Sequence, residues 1–285
     1  MPTIASRAEL EALLLDDVPY GDLTTDALGI GVAPGSMQFT ARDPMILALA
    51  EDAAAIIEVA GGRVDLHAGS GSALDRGSPI LTAHGSAAAL LRSWKVAQTL
   101  IEIWSGVATD ARAIVDAATA VAPWVVVACT RKNTPGTKHF AVAAVKAGGA
   151  VMHRLGLSET VLVFPEHRAF LGDEPLAAVA ARLRRAAPEK RLVIEITTVE
   201  AALAAAEAGF DVIQAEKFAP TEIVSLAAQL STMQHRPIIA AAGGINAGNV
   251  AVYAQAGADV VVTSSPYLAK PRDVQVRIGP RATEG

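Results

Sequence analysis

The stretch VVVACTRKNTPGTKHFAVAAVKAGGAVMHR, residues 125–154, decides the fold. It opens with an apolar, valine-rich run at 125–129, too short for a helix, which reads as a strand buried on both faces. Residues 138–147 have helical spacing, and 149–152 is a second short apolar run. Strand, helix and strand in that order make a βα unit of a parallel sheet. The same stretch carries the most unbalanced charge in the chain. Arg131, Lys132, Lys138, Lys146 and Arg154 fall inside it with His139 and His153, and no Asp or Glu occurs between Asp116 and Glu159. Cations with no partner nearby in sequence need an anion from elsewhere: a distant carboxylate, a neighbouring subunit or an acidic ligand.

Outward from this unit the pattern repeats. Short apolar runs recur at 161–164, 192–196, 212–215, 237–241 and 259–263, separated by amphipathic Ala-rich stretches such as 198–208 and 221–230. Seven strands in so short a span suit a parallel barrel better than a flat doubly wound sheet. No GxGxxG follows the first strand, which argues against a dinucleotide-binding domain. Before Pro123 the texture differs. Ser6 and Glu9 form a capping box for a helix with Leu10, Leu13 and Leu14 on one face, which stops before Pro19. An exposed loop is expected over 16–25, strands at 37–41, 64–68 and 79–83, and a helix over 43–59. A helix from 86 to 100 runs into Ser105-Gly106, and a second continues through 120. This part reads as a small α+β unit.

Composition narrows the function. The 24 Lys and Arg against 29 Asp and Glu give a formal charge of −5, so a basic site must be local and no nucleic-acid surface is expected. Apolar residues make up 52%, dominated by Ala and Val, but no run reaches the length of a membrane span. The N-terminal sequence lacks the features of a signal peptide, and the single cysteine, Cys129, fits a reducing cytoplasm and a packing role. Trp94, Trp104 and Trp124 read as core.

In a parallel βα barrel the chemistry sits at the carboxyl ends of the strands. Those ends supply Arg131 and Lys132, then His153 and Arg154, then 164–167, then Glu195, Glu216, Gly243-Gly244 and Ser264-Ser265. The glycine pair between a strand and a helix suits a phosphate, and the serines add donors from the next loop. Glu195 and Glu216 suit sugar hydroxyls, a divalent metal or a positively charged sugar carbon; salt bridging to the basic stretch is the alternative. Arg131, Lys132, His153 and Arg154 suit carboxylates and phosphates. His139 and Lys146 fall within the helix and are expected to be solvated.

The stretch TRKNTPGTKHFAVAAVKAGGAVMHRLGLSE resembles the signature of quinolinate phosphoribosyltransferases, the nicotinate-nucleotide pyrophosphorylases. The resemblance extends to EALLLDDVPYGDLTT, SGVAT at 105–109, LVIEITTVE and AAAGGIN, and covers nearly the whole chain. It implies a small N-terminal α+β domain, here 1–106, followed by an incomplete seven-stranded parallel α/β barrel, here 107–285. It implies a cytoplasmic homodimer or higher homo-oligomer with a shared active site, joining phosphoribosyl pyrophosphate to a small heterocyclic acceptor with Mg²⁺. In family enzymes that acceptor is quinolinate, and pyrophosphate and carbon dioxide are released. By position, Arg131, His153 and Arg154 would face the acid and Lys132 the diphosphate. Glu195 and Glu216 would hold the ribose or its metal, and Gly243, Gly244, Ser264 and Ser265 the 5-phosphate.

Four positions depart from the family pattern. The arginine donated across the family's dimer is Lys95, and a substrate-contacting lysine is Phe164 within VLVFPEH. The aspartate of its LDN motif is Glu216 in QAEKF, and the glutamate before the glycine pair is Ala240. With WKVAQTL and LVFPEHRAFL, this pattern is similar to a pyrophosphorylase-like branch of the family from molybdate-transport gene clusters. A phosphosugar half kept and an acid half altered predict transfer to a different, less charged acceptor. The rival expectations are quinolinate phosphoribosyltransferase activity in NAD biosynthesis, a non-catalytic nucleotide- or phosphosugar-binding role in molybdenum transport, and Schiff-base chemistry at Lys132.

Overall fold

A computed structural model of the chain describes residues 3–281 and divides into two compact units. One takes the chain up to Arg112, the segment Thr134–Gly149 and the segment from Pro266 onward; the other takes Ala113–Asn133 and Ala150–Ser265.

The first unit is built on an antiparallel sheet in the order Val274–Pro280, Pro34–Ala41, Pro79–Ser86, Arg63–Leu66. Along Pro34–Ala41 alternate residues are buried, Met37, Phe39 and Ala41 among them, as a strand with one covered face requires. The outer strand Val274–Pro280 was not anticipated. The helix Arg7–Asp17 begins with the expected capping box: Ser6 Oγ accepts the Glu9 N–H, and the Glu9 carboxylate accepts the Ser6 N–H at 2.8 Å. Asp52, buried on the helix Ala50–Val59, accepts the N–H groups of Ile4 and Ala5 at 2.9 and 2.8 Å and so pins the segment ahead of the helix Arg7–Asp17.

Local chemistry explains four differences from expectation in this unit. Over 16–25 the chain does not stay a loop: Asp22 accepts the N–H groups of Thr24 and Thr25 and caps a short helix, Leu23–Leu28. The helix expected over 43–59 begins only at Ala50, because Met45–Ile46 pairs with Ala73–Leu74 and Leu49 adopts a left-handed φ of 57°. Two helices expected around Ser105-Gly106 are one, Ala87–Thr119. Glycine there serves close packing: a Cβ on Gly106 would lie 2.4 Å from the Lys270 carbonyl oxygen. His139, expected in solvent, is partly buried against the Phe140 ring, 3.9 Å between centroids.

The second unit is a seven-stranded, all-parallel sheet. All seven strands lie within two residues of the expected apolar runs: Val126–Cys129, Val151–Met152, Val161–Val163, Leu192–Ile196, Val212–Glu216, Ile238–Ala242 and Val260–Thr263. In chain order they are arranged 2-1-7-6-5-4-3, so the second and third strands are the two edges of the curled sheet and the barrel is incomplete. At the amino ends, Asp211 and Asp259 accept the N–H groups of Leu192 and Ile239 at 2.6 and 2.8 Å and pair with Arg184 and Arg236. Trp124, expected in the core, is exposed just before the first strand. Among the described residues no helix is long and apolar enough to cross a membrane.

Candidate active site

Each βα unit of the second unit leaves a short polar segment at the carboxyl end of its strand. Arg131, Lys132, His153, Arg154, Phe164, Glu195, Glu216, Gly243, Gly244, Ser264 and Ser265 all lie at or just beyond those ends. They fall into three groups around the sheet.

The cationic group comes from the first three strands. The His153 N–H donates to the Cys129 carbonyl at 2.8 Å, continuing the pairing of the first two strands past their last residues. Arg131 and Lys132 are exposed, whereas Arg154 is 5% exposed. Among the described residues none of these three makes an ion pair. Burial, together with the nearby Arg131 charge, pushes the Arg154 guanidinium below its ordinary value. Burial and then Arg154 push His153 down as well, so its imidazole is neutral over a wider range. The Arg154 guanidinium lies over the Phe164 ring, 5.5 Å from its centroid. Phe164 is stacked at 5.8 Å on His167, whose Nδ1 accepts the Phe164 N–H at 2.9 Å and caps the short helix Pro165–Arg168.

The carboxylate group comes from the fourth and fifth strands. Burial first, and the Glu216 charge second, raise the Glu195 carboxyl above the ordinary value; a hydrogen bond from Gln214 and the Lys132 charge act against this. Gln214 Nε2 donates to Glu195 Oε2 at 2.6 Å, an amide absent from the expected site residues. Its only sequence signal is a polar residue inside the apolar strand Val212–Glu216. Among the described residues no group of three or more His, Cys, Asp or Glu side chains is placed to hold a metal ion. Two coupled carboxylates still suit Mg²⁺, which keeps waters and takes further ligands from substrate phosphates.

The small-residue loops come from the last two strands. Gly243 and Gly244 have φ of 96° and 76°, a conformation favouring glycine. A Cβ on Gly243 would meet the Lys217 backbone nitrogen at 2.8 Å and the Glu216 Oε1 at 3.0 Å, so this turn lies directly against the carboxylate group. Side-chain amides of Asn246 and Asn249 donate to the Gly244 carbonyl and hold the turn. Across the next strand pair the hydroxyls of Ser264 and Thr130 are bonded at 2.6 Å, and the Ser265 N–H donates to Thr263 Oγ1. Lys95 belongs to the other unit, exposed on the helix Ala87–Thr119, with its ammonium 4.1 Å from the Trp94 ring centroid and bonded to Gln98. Lys138, His139 and Lys146 lie on the helix Lys138–Ala147 of that other unit.

Two family models, the N-terminal and C-terminal domains of quinolinate phosphoribosyl transferase, match residues 22–105 and 107–277. The ModD protein of Rhodobacter capsulatus, a pyrophosphorylase by name, is 48% identical over 242 residues, 85% of this chain and 93% of that one. The nicotinate-nucleotide pyrophosphorylase (carboxylating) of Mycobacterium leprae is 31% identical over 271 residues, 92% of each chain. The crystal structure of NadC from Streptococcus pyogenes superposes with a TM-score of 0.88 at 25% identity, covering 96% of each chain. The small sheet-bearing domain and the incomplete parallel barrel thus have their counterpart in known proteins, and the chain belongs to the quinolinate phosphoribosyltransferase family of pentosyltransferases.

Proposed function

We propose that the chain transfers a phosphoribosyl group from phosphoribosyl pyrophosphate to a heterocyclic acceptor less charged than quinolinate. The observation that carries this is Arg154, a buried cation with no carboxylate partner among the described residues and an aromatic ring beneath it. A buried charge is costly unless an anion completes it, and the acceptor's acid group is that anion. The position where family members carry a second cationic contact is Phe164, so the acceptor end offers fewer charges than a dicarboxylate needs. Gly243-Gly244 and Ser264-Ser265 hold the 5-phosphate, and Lys132 neutralises the leaving diphosphate. Glu195 and Glu216 bind the ribose and place negative charge near C1, where positive charge develops as the bond to pyrophosphate breaks. Mg²⁺ held with these carboxylates would supply charge neutralisation on the diphosphate. The 48% identical relative is a pyrophosphorylase by name, which supports pyrophosphate release as the reaction, and the resemblance to the branch from molybdate-transport gene clusters supports a place beside molybdate transport. By family resemblance the working form is a homodimer in which Lys95 completes the partner's site.

The test is pyrophosphate release from phosphoribosyl pyrophosphate and Mg²⁺ across a panel of heterocyclic acids and bases. One or more monoacids should support turnover, quinolinate should be poor, and Lys132→Ala should lower release by about 100-fold or more. Phe164→Lys combined with Lys95→Arg should tighten quinolinate binding by about tenfold. Absence of release with every acceptor, with ligand binding intact, would favour a binding protein; rapid turnover of quinolinate by the wild type would overturn the altered-acceptor reading.

A further inference from the structure

Gln214 is 5% exposed and sits inside a strand whose other interior residues are apolar. In the parallel register it stands beside Glu195 on one neighbouring strand and Ala240 on the other. Its Nε2 donates to Glu195 Oε2 at 2.6 Å, while its own carbonyl oxygen is buried and accepts no hydrogen bond among the described residues. A buried polar group left half-satisfied is uncommon, and no fold requirement calls for one opposite an alanine. The residue type has a specific consequence. An apolar side chain would leave the inner oxygen of Glu195 without a donor. A carboxylate would bring a third negative charge to a site where Glu195 and Glu216 already repel. An amide donates one hydrogen bond and adds no charge.

We infer that Gln214 is the positioning residue for Glu195, fixing its Oε2 so that Oε1 is presented to the hydroxyls of a ribose 5-phosphate moiety. This rests on the phosphoribosyl reading above. Glu195 touches the sugar; Gln214 acts only through Glu195. The residue therefore governs discrimination between ribose and 2-deoxyribose more than attachment of the phosphate.

The experiment is calorimetric titration of the purified full-length chain with ribose 5-phosphate, 2-deoxyribose 5-phosphate, phosphoribosyl pyrophosphate and inorganic phosphate, in EDTA and without turnover. Gln214→Met, similar in volume, should weaken ribose 5-phosphate about tenfold and erase most of the preference over the deoxy sugar, with phosphate binding unchanged. Gln214→Asn, which keeps the amide but falls short by one methylene, should behave alike, and it carries the test if the Met variant does not fold. In a Glu195→Ala background Gln214→Met should add no further loss, which a general packing defect would not produce. Unchanged affinity and unchanged preference in Gln214→Met, or additive losses in the double variant, overturn the inference while leaving the phosphoribosyl reading in place. A wild type that binds neither sugar phosphate nor phosphoribosyl pyrophosphate overturns that reading and this inference with it.

Discussion

Single residues at the strand ends are placed where they cost the empty protein stability, and that cost is measurable. The Glu195 carboxyl is raised by burial first and by Glu216 second, above an ordinary value near 4.5. A raised acid binds its proton more tightly in the folded chain than in the unfolded one, so folding is favoured where the group is protonated. The favourable contribution is fully present below the ordinary value, and it is lost as pH rises through the raised folded value. Glu195→Gln should therefore raise the melting temperature near neutral pH by about 2–4 °C and change it little at pH below the ordinary carboxylate value. It should also weaken sugar-phosphate binding. Arg154→Met should stabilise the ligand-free chain as well, since it removes a buried cation that lies over an aromatic ring, near the like charge of Arg131, with no ion-pair partner among the described residues. Thermal melts in EDTA check both: a lower melting temperature near neutral pH in either variant would show that its charge is compensated in the folded state.

At the scale of elements, the turn after the sixth strand separates two effects that glycine can have. Both Gly243 and Gly244 hold a left-handed φ, but only Gly243 is crowded, by the backbone and side chain of Lys217. Gly244→Ala should cost about 1–2 kcal/mol from backbone conformation alone. Gly243→Ala should cost a further 1–3 kcal/mol, roughly, for the collision, and should abolish inorganic phosphate binding because the turn must move off Glu216. Urea unfolding of the two variants gives the comparison, and equal losses would contradict it. The elements themselves were legible in the sequence to differing degrees. The seven barrel strands could be read because a strand covered on both faces is a continuous apolar run, and the candidate site residues of the barrel followed from strand position, whereas Lys95, on a helix, was read only from the family resemblance. Val274–Pro280 was not legible: VQVRIGP alternates as a half-exposed strand does, but its partner Pro34–Ala41 lies more than 230 residues away in sequence. Gly106 misled because glycine usually breaks a helix, whereas here packing against Lys270 requires it. Gln214 was passed over because its role depends on strand register, which places it against Glu195 and leaves no trace in spacing along the chain.

For the whole molecule the question is whether one chain suffices for a complete site. The strand-end cations of the barrel unit, Arg131, Lys132 and Arg154, have no ion-pair partner among the described residues, and Lys95 is an exposed cation on the other unit's long helix. By resemblance Lys95 serves the active site of a second copy, which makes a distinctive prediction for mixtures. Lys95→Ala and Lys132→Ala should each be nearly inactive alone. If Lys95 acts within its own chain, a mixed dimer contains two singly damaged sites and gains nothing. If it acts across the dimer, a mixed dimer has one doubly damaged site and one intact site. Equal amounts, unfolded together and re-paired at random, should then recover about a quarter of wild-type pyrophosphate release. Half of the dimers would be mixed, and each would keep half of its sites. Size-exclusion chromatography of the same samples confirms that dimers have re-formed, and recovery near zero with dimers present would place Lys95 in its own chain's site.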